Sequence, residues 1–183
     1  MLVSELMLQQ TQVSRVLEFY ARFIERFPTI QDLADAPPGR VMESWEGLGY
    51  YARARNLHRL ARHVTRDGGT GELPREPHEL RKLPGIGAYT AGAVASFAYE
   101  MRAALVDTNV ARVLSRVFAP KLNPRRPRDL KKIWEIAEAT LPRTGSAVWT
   151  QNQALMELGA LVCTARIKRC EVCPLRKLCM SAE

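Results

Sequence analysis

Apolar residues along most of the chain recur at steps of three and four, the period of a helix with one buried face. Leu6, Val13, Val16, Leu17, Tyr20, Phe23, Ile24 and Phe27 follow it and predict one long helix that Pro28 stops. Thr29 is placed to cap a short helix through Leu33. Pro37-Pro38-Gly39 turns into a helix across Val41 to Trp45, and Gly47-Leu48-Gly49 breaks it. Tyr51 to Val64 predicts a basic amphipathic helix, with Leu57, Leu60, Ala61 and Val64 inward and Arg53, Arg55, Arg59 and Arg62 outward. A loop follows at Asp67 to Gly71. Further helices are predicted from Pro77 to Leu83, Tyr89 to Tyr99, Asp107 or Thr108 to Phe118, Leu130 to Leu141 and Val148 to Val162. No segment alternates as a strand does. The pattern predicts an all-α protein of nine or ten helices.

Composition narrows the class. The chain has 183 residues, 46% apolar and 25% charged, an ordinary globular balance sufficient for one domain or two small lobes. No apolar run approaches the roughly 18–20 residues of a membrane span. The start, Met1-Leu2-Val3-Ser4-Glu5, lacks the regions of a signal peptide, so an intracellular, cytoplasmic protein is expected. A net charge of +8 favours an anionic partner, with nucleic acid the commonest, although solubility alone also accounts for it.

The four cysteines, Cys163, Cys170, Cys173 and Cys179, crowd one end with C-x6-C-x2-C-x5-C spacing. A disulfide scaffold spreads its cysteines, so this cluster predicts a metal centre. One short pair with two long arms suits an iron–sulfur cluster better than zinc, which spacing alone leaves open. Arg166, Lys168 and Arg169 lie in the first arm, placed to present cations to phosphates or simply to water.

Leu83-Pro84-Gly85-Ile86-Gly87 forms a tight turn between two helices. Gly85 and Gly87 can take positive φ and expose backbone N–H groups at a helix start, where a phosphate binds without sequence readout. An ordinary helix–helix turn has the same composition. Glu5 stands alone among apolar neighbours, where desolvation raises a carboxyl's pKa and makes it a proton donor near neutral pH; a first-turn Glu serving the helix dipole is the plainer reading. Asp107 in Val106-Asp107-Thr108-Asn109 reads as an N-cap, which is compatible with stabilising a developing cation. Gly47 to Arg55 joins glycine breaks, adjacent tyrosines and Arg53 and Arg55. Tyr50 there can wedge into a base stack while the arginines hold phosphates, or the tyrosine can belong to the core. Gln9, Gln10, Thr11 and Gln12 offer uncharged hydrogen-bonding groups at helical spacing.

Together, the Leu-Pro-Gly-Ile-Gly hairpin, the Val106-Asp107 about twenty residues on and the terminal cysteines resemble the helix-hairpin-helix DNA glycosylases that carry an iron–sulfur cluster. Three longer strings, Ser4 to Val13, Trp45 to Leu57 and Asn152 to Ala160, resemble the MutY family of adenine DNA glycosylases within them. The resemblance implies an all-α, two-lobed fold. A six-helix barrel over residues 1–102 would contain the helix-hairpin-helix at about 77–100, and a cluster lobe would cover 103–183 with Asp107 at the junction. It implies double-stranded DNA bearing a mismatched adenine as the partner, a monomer associated with the nucleoid, and a [4Fe–4S] cluster on Cys163, Cys170, Cys173 and Cys179.

The implied chemistry is hydrolysis of the N-glycosidic bond of an extruded adenine opposite guanine or 8-oxoguanine. Glu5 would protonate the base and then activate water, while Asp107, with Asn109 nearby, stabilises the oxocarbenium-like state, as in two-carboxylate glycoside hydrolysis. Gln153 matches the position that contacts the adenine edge, and Gln10 and Tyr50 match intercalating positions. Tyr89 stands where lyase relatives carry a lysine; without an amine no Schiff base forms, so a monofunctional glycosylase is expected. Against the family pattern, the stretch ahead of the Ser4-Glu5 helix and the C-terminal 8-oxoguanine-recognition domain are absent from this sequence. A thymine or uracil mismatch glycosylase also fits Tyr89, and a DNA-binding module without catalysis is the reading from another class.

Overall fold

The computed structural model describes residues 1–66 and 69–182. The predicted loop at 67–71 begins on Asp67 and Gly68, which lie outside the described residues. Among the described residues the chain is all-helical, with ten α-helices, two 3-10 turns and no strand beyond one antiparallel bridge between Cys163 and Lys168. None of these helices is long and apolar enough to cross a membrane. The chain forms two compact units, Met1–Ala91 and Gly92–Glu183.

The first unit holds α1 (Leu2–Leu8), α2 (Val13–Arg26), α3 (Ile30–Asp35), α4 (Pro38–Ser44), α5 (Ala52–Thr65), α6 (Pro77–Leu80) and the opening of α7 (Ala88–Tyr99). Helix α5 lies against α3 and α4 because its inward positions, Ala54, Leu57, Leu60, Ala61 and Val64, fall on one stripe and are all buried. Trp45 and Phe23 fill the space beside it, edge to face with centroids 5.7 Å apart. Each contributes roughly 1.5–3 kcal/mol by leaving water. Thr29 caps α3 in a reciprocal capping box with Asp32.

The single long helix predicted from Leu6 to Phe27 is two helices. The chain breaks at Gln9–Gln12 because Gln10 takes φ +56, a left-handed conformation that no α-helix continues through. Gln9 to Gln12 therefore form a turn rather than a helical face. Val13 and Leu17 are exposed, so the buried stripe of α2 runs through Val16, Phe19 and Phe23 instead.

The second unit holds the rest of α7, α8 (Thr108–Phe118), α9 (Pro127–Ala139), α10 (Gly145–Leu161) and the 3-10 turns Cys170–Val172 and Arg176–Leu178. Helix α8 packs on both α9 and α10, burying Val110, Val113, Leu114 and Val117 with Ile133 and Val148. Asn152 is buried within this apolar set, and its amide donates to Ser96 Oγ (2.9 Å) and to the Ala103 carbonyl (3.0 Å), which satisfies the polar group.

Candidate active site and nucleic-acid interface

In the first unit, α1 buries Glu5 at 7% exposure beside Leu6 and Met7. Tyr89, near the start of α7, donates its hydroxyl to Glu5 Oε2 at 2.8 Å. One turn along α1, the Gln9 side chain donates to Thr90 Oγ1 at 3.2 Å. The two bonds hold α1 to the opening of α7. Glu5 is thus a buried carboxylate group oriented by one hydroxyl donor.

The hairpin lies just ahead of these residues. Gly85 has φ +78, and a Cβ there would stand 2.5 Å from Asn56 Cβ on α5, so both conformation and space require glycine. Gly87 does not take positive φ, which corrects half of the expectation for this turn. The N–H groups of Gly85 and Gly87 have no protein acceptor among the described residues, and both glycines are exposed. Paired unsatisfied donors at a helix start form an anion nest.

Arg53 overturns its sequence assignment. Expected outside on a phosphate, it is 8% exposed and points inward. Its Nη1 donates to the carbonyls of Leu6 (2.8 Å), Met7 (2.9 Å) and Gln9. Its Nη2 donates to Thr11 Oγ1 (3.2 Å) and to the carbonyls of Leu48 (3.3 Å) and Gly49 (3.2 Å). The acceptors include the orphan carbonyls that every helix end leaves. Burial pulls the guanidinium below the ordinary arginine value, with nearby Tyr50 opposing the shift. Arg53 thus ties the turn of Gln10 to the turn of Tyr50. Tyr50 also has positive φ, +49, and is 60% exposed; Gln10 is exposed as well. The two expected intercalating residues project from strained turns that share one buried cation. Arg55 is exposed.

In the second unit, Asp107 caps α8. Its Oδ1 accepts from Val110 N (2.6 Å) and its Oδ2 from Asn109 Nδ2 (3.1 Å). Asn109 Oδ1 accepts from Arg112 Nη2 (2.8 Å), which also reaches the Gly159 carbonyl (2.7 Å). Arg112 was not anticipated; it fixes the Asn109 amide so that its NH2 faces Asp107. Gln153 on α10 is half-buried, and its amide has no partner among the described residues.

Cys163, Cys170, Cys173 and Cys179 are unpaired and half-buried, and all four line one cavity. Among the described residues, no three His, Cys, Asp or Glu side chains converge as a single metal ion requires. Arg116, also unanticipated, donates to Cys163 Sγ at 3.2 Å and to the Thr164 carbonyl at 2.8 Å, bracing the first arm. Arg166, Lys168 and Arg169 are exposed on that arm.

A family model described as the HhH-GPD superfamily of base excision DNA repair proteins matches residues 3–139. Adenine DNA glycosylase of Buchnera aphidicola is 40% identical over 179 residues, 98% of this chain and 50% of that protein. The enzyme of that name from Mycolicibacterium smegmatis is 48% identical over 175 residues, 95% of this chain and 58% of that protein. The chain spans about half the length of these two relatives. Among solved structures, a thermostable thymine-DNA glycosylase superposes with a TM-score of 0.86 at 33% identity, covering 98% of this chain and 82% of that one. A non-covalent endonuclease III–DNA complex gives 0.81 at 27% identity, with 98% and 81% covered.

Proposed function

The chain belongs to the HhH-GPD superfamily of base excision DNA repair proteins, and from that premise we propose that it is a monofunctional DNA glycosylase releasing adenine mispaired with guanine or 8-oxoguanine. The observation that carries the reading is the buried Glu5 carboxyl held by the Tyr89 hydroxyl at 2.8 Å. A buried carboxyl oriented by a phenol is placed to exchange a proton with a base, and a phenol in the place of an amine forms no Schiff base. The adenine-named relatives at 40% and 48% identity support the choice of base.

In this reading Glu5 protonates the extruded adenine and, as a carboxylate, then takes a proton from attacking water. Asp107 offsets the positive charge growing on the sugar, and Asn109 keeps it oriented. Gln10 and Tyr50 enter the stack, and Gln153 meets the adenine edge with its unpartnered amide. The duplex backbone sits on Gly85, Gly87, Arg55 and the Arg166, Lys168, Arg169 arm, with no part for Arg53. In this reading the lobes are a barrel over 1–102 and a cluster lobe over 103–183, a boundary placed beyond α7 rather than within it after Ala91, in a monomer that works on the nucleoid.

The four cysteines fit a [4Fe–4S] cluster. Their thiols are unpaired and share a cavity, and one short pair with two long arms suits a cluster better than the paired spacing of a zinc site. A bound cluster supplies thiolate cross-links that shape the basic arm.

Single-turnover assays on duplexes with A opposite G, A opposite 8-oxoguanine, T opposite G and U opposite G test the function. Adenine release from the first two, without strand cleavage, is expected, and Glu5→Gln abolishes it while binding persists. Thymine or uracil release without adenine release overturns the reading, and mismatch binding without any release assigns a non-catalytic module.

A further inference from the structure

Helix α5 carries Arg59, Arg62 and His63 at positions i, i+3 and i+4, one face of a helix, and Arg66 follows as the residue that caps its end. All four are exposed. With Pro84, the first residue of the hairpin turn after Leu83, they line an open cavity of about 340 Å³. Among the described residues no carboxylate lines it. Arg66 pairs with Asp35 at 3.4 Å, but Arg59 and Arg62 have no ion-pair partner among the described residues. Like charges at this spacing repel, so the face is set for an anion. The field is felt inside as well. His58 lies below its ordinary value chiefly through burial, with backbone groups of Ala34 and Ala36 opposing the shift and Arg62 and Arg66 adding to it.

The cavity and the hairpin are one surface. Pro84 borders the cavity, and Gly85 seats directly on Asn56 of the same helix. Asn56 precedes Arg59 by one turn. At about 1.5 Å of rise per residue, Arg59 to His63 lie roughly 4–11 Å further along the axis. Strand phosphates recur every 3.4 Å or so of duplex axis, so with α5 running along the duplex the cavity would reach phosphates one to three beyond those at the free hairpin N–H groups.

We propose that the Arg59–Arg62–His63 basin beside Pro84 holds backbone phosphates of the DNA strand gripped by the hairpin, extending that grip along α5. The inference rests on the reading of the chain as a duplex-binding glycosylase, but it concerns duplex affinity and not base release. The basin reads no sequence, because phosphates carry none.

Duplex affinity measured against salt concentration tests it on the full chain, with matched and A:G-mismatched DNA as probes. For Arg59→Ala/Arg62→Ala, the slope of log affinity against log salt becomes shallower by about 1–2, at roughly 0.9 per phosphate lost. Affinity for both duplexes falls by the same factor. The Arg59→Lys/Arg62→Lys variant keeps the wild-type slope, and Arg125→Ala/Arg128→Ala, removing equal charge from exposed positions just before and in the first turn of α9, leaves it nearly unchanged. Arg59→Gln/Arg62→Gln stands in if the alanine variant unfolds. An unchanged slope, an equal change in the Arg125/Arg128 control, or a wild type that does not bind duplex overturns the basin. A wild type that binds with the expected slope yet releases no adenine overturns the glycosylase reading and leaves the basin standing.

Discussion

Arg53 supplies the sharpest test of the structure. Replacing it with Met keeps most of the side-chain volume and removes every donor. Six acceptors then lose a donor: the carbonyls of Leu6, Met7, Gln9, Leu48 and Gly49, and Thr11 Oγ1; Gly49 keeps Trp45 Nε1 and Gln9 keeps the Thr11 hydroxyl. A buried acceptor left unsatisfied costs about 1–3 kcal/mol. Water reaches some of the six, because Gln9 and Thr11 are only half-buried, so the full sum overstates the loss. The Leu6, Met7 and Leu48 carbonyls belong to buried residues, and these alone give roughly 3–5 kcal/mol, the range seen when one member of a buried charged network is removed. At about 2–4 °C per kcal/mol for a chain of this length, Tm falls by roughly 6–20 °C. Arg53→Lys keeps the charge but not the planar fork, and one ammonium cannot serve both turns. It should lose about half as much and leave the Gln10 and Tyr50 turns untied, visible as faster amide exchange at Thr11 and at Arg53 itself, whose N–H closes the turn onto the Tyr50 carbonyl at 2.9 Å. Thermal unfolding and exchange of the three proteins decide the matter. A Met variant within about 1 kcal/mol of wild type, judged against the usual cost of an unsatisfied buried acceptor, would falsify the account.

Two further outcomes follow from the first unit. Gly85→Ala combines a left-handed φ of +78 with a Cβ placed 2.5 Å from Asn56 Cβ, so it costs about 1–2 kcal/mol from conformation alone and displaces the hairpin. Gly87→Ala meets nothing within 4 Å and carries no positive φ. Duplex binding should drop for the first and hold for the second, and equal losses would contradict the hairpin geometry. His58 is 6% exposed with an unpartnered Nε2, and burial lowers its pKa from 6.5, with Arg62 and Arg66 adding to the shift and the backbone of Ala34 and Ala36 opposing it. The unfolded chain therefore binds this proton more readily than the folded one. Stability linked to neutral His58 is complete above about pH 6.5 and is lost as pH falls toward the folded-state value. In urea unfolding, the gap between wild type and His58→Leu should shift in favour of the variant from pH 7.5 to pH 5, and a constant gap would rule this titration out.

The helical class, the positions of most helices and the Thr29 and Asp107 caps were legible because each is a local property. The break after α1 was not. The sequence from Leu6 to Phe27 keeps a helical rhythm through Gln9–Gln12, and no Gly or Pro marks the stop. What ends α1 is tertiary: the carbonyls of Leu6, Met7 and Gln9 turn toward a guanidinium from a helix more than forty residues on. A left-handed glutamine has a conformational cost that only such a distant partner offsets, and a window of fifteen residues contains no trace of it. Arg112 and Arg116 were missed for the same reason. Their acceptors, Gly159, Cys163 and Thr164, lie in a segment whose path the helical period does not predict.

Arg53 itself was legible, and the error was one of chemistry rather than of period. It stands four residues before Leu57 and seven before Leu60, on the buried stripe of α5, so the helical phase placed it inside while its charge argued for outside. The two arguments are reconciled by counting acceptors. Glycine-rich Gly47-Leu48-Gly49 and the end of α1 both present carbonyls that no helix satisfies, and an arginine on the inward face is the residue type with enough fixed donors to serve two such turns at once. An arginine on the apolar phase of a helix, next to a glycine turn, is therefore better read as a clamp on backbone than as a hand for phosphate. The same rule separates Arg53 from Arg59 and Arg62, which lie off that stripe, accept no role in the fold and remain free for an anion.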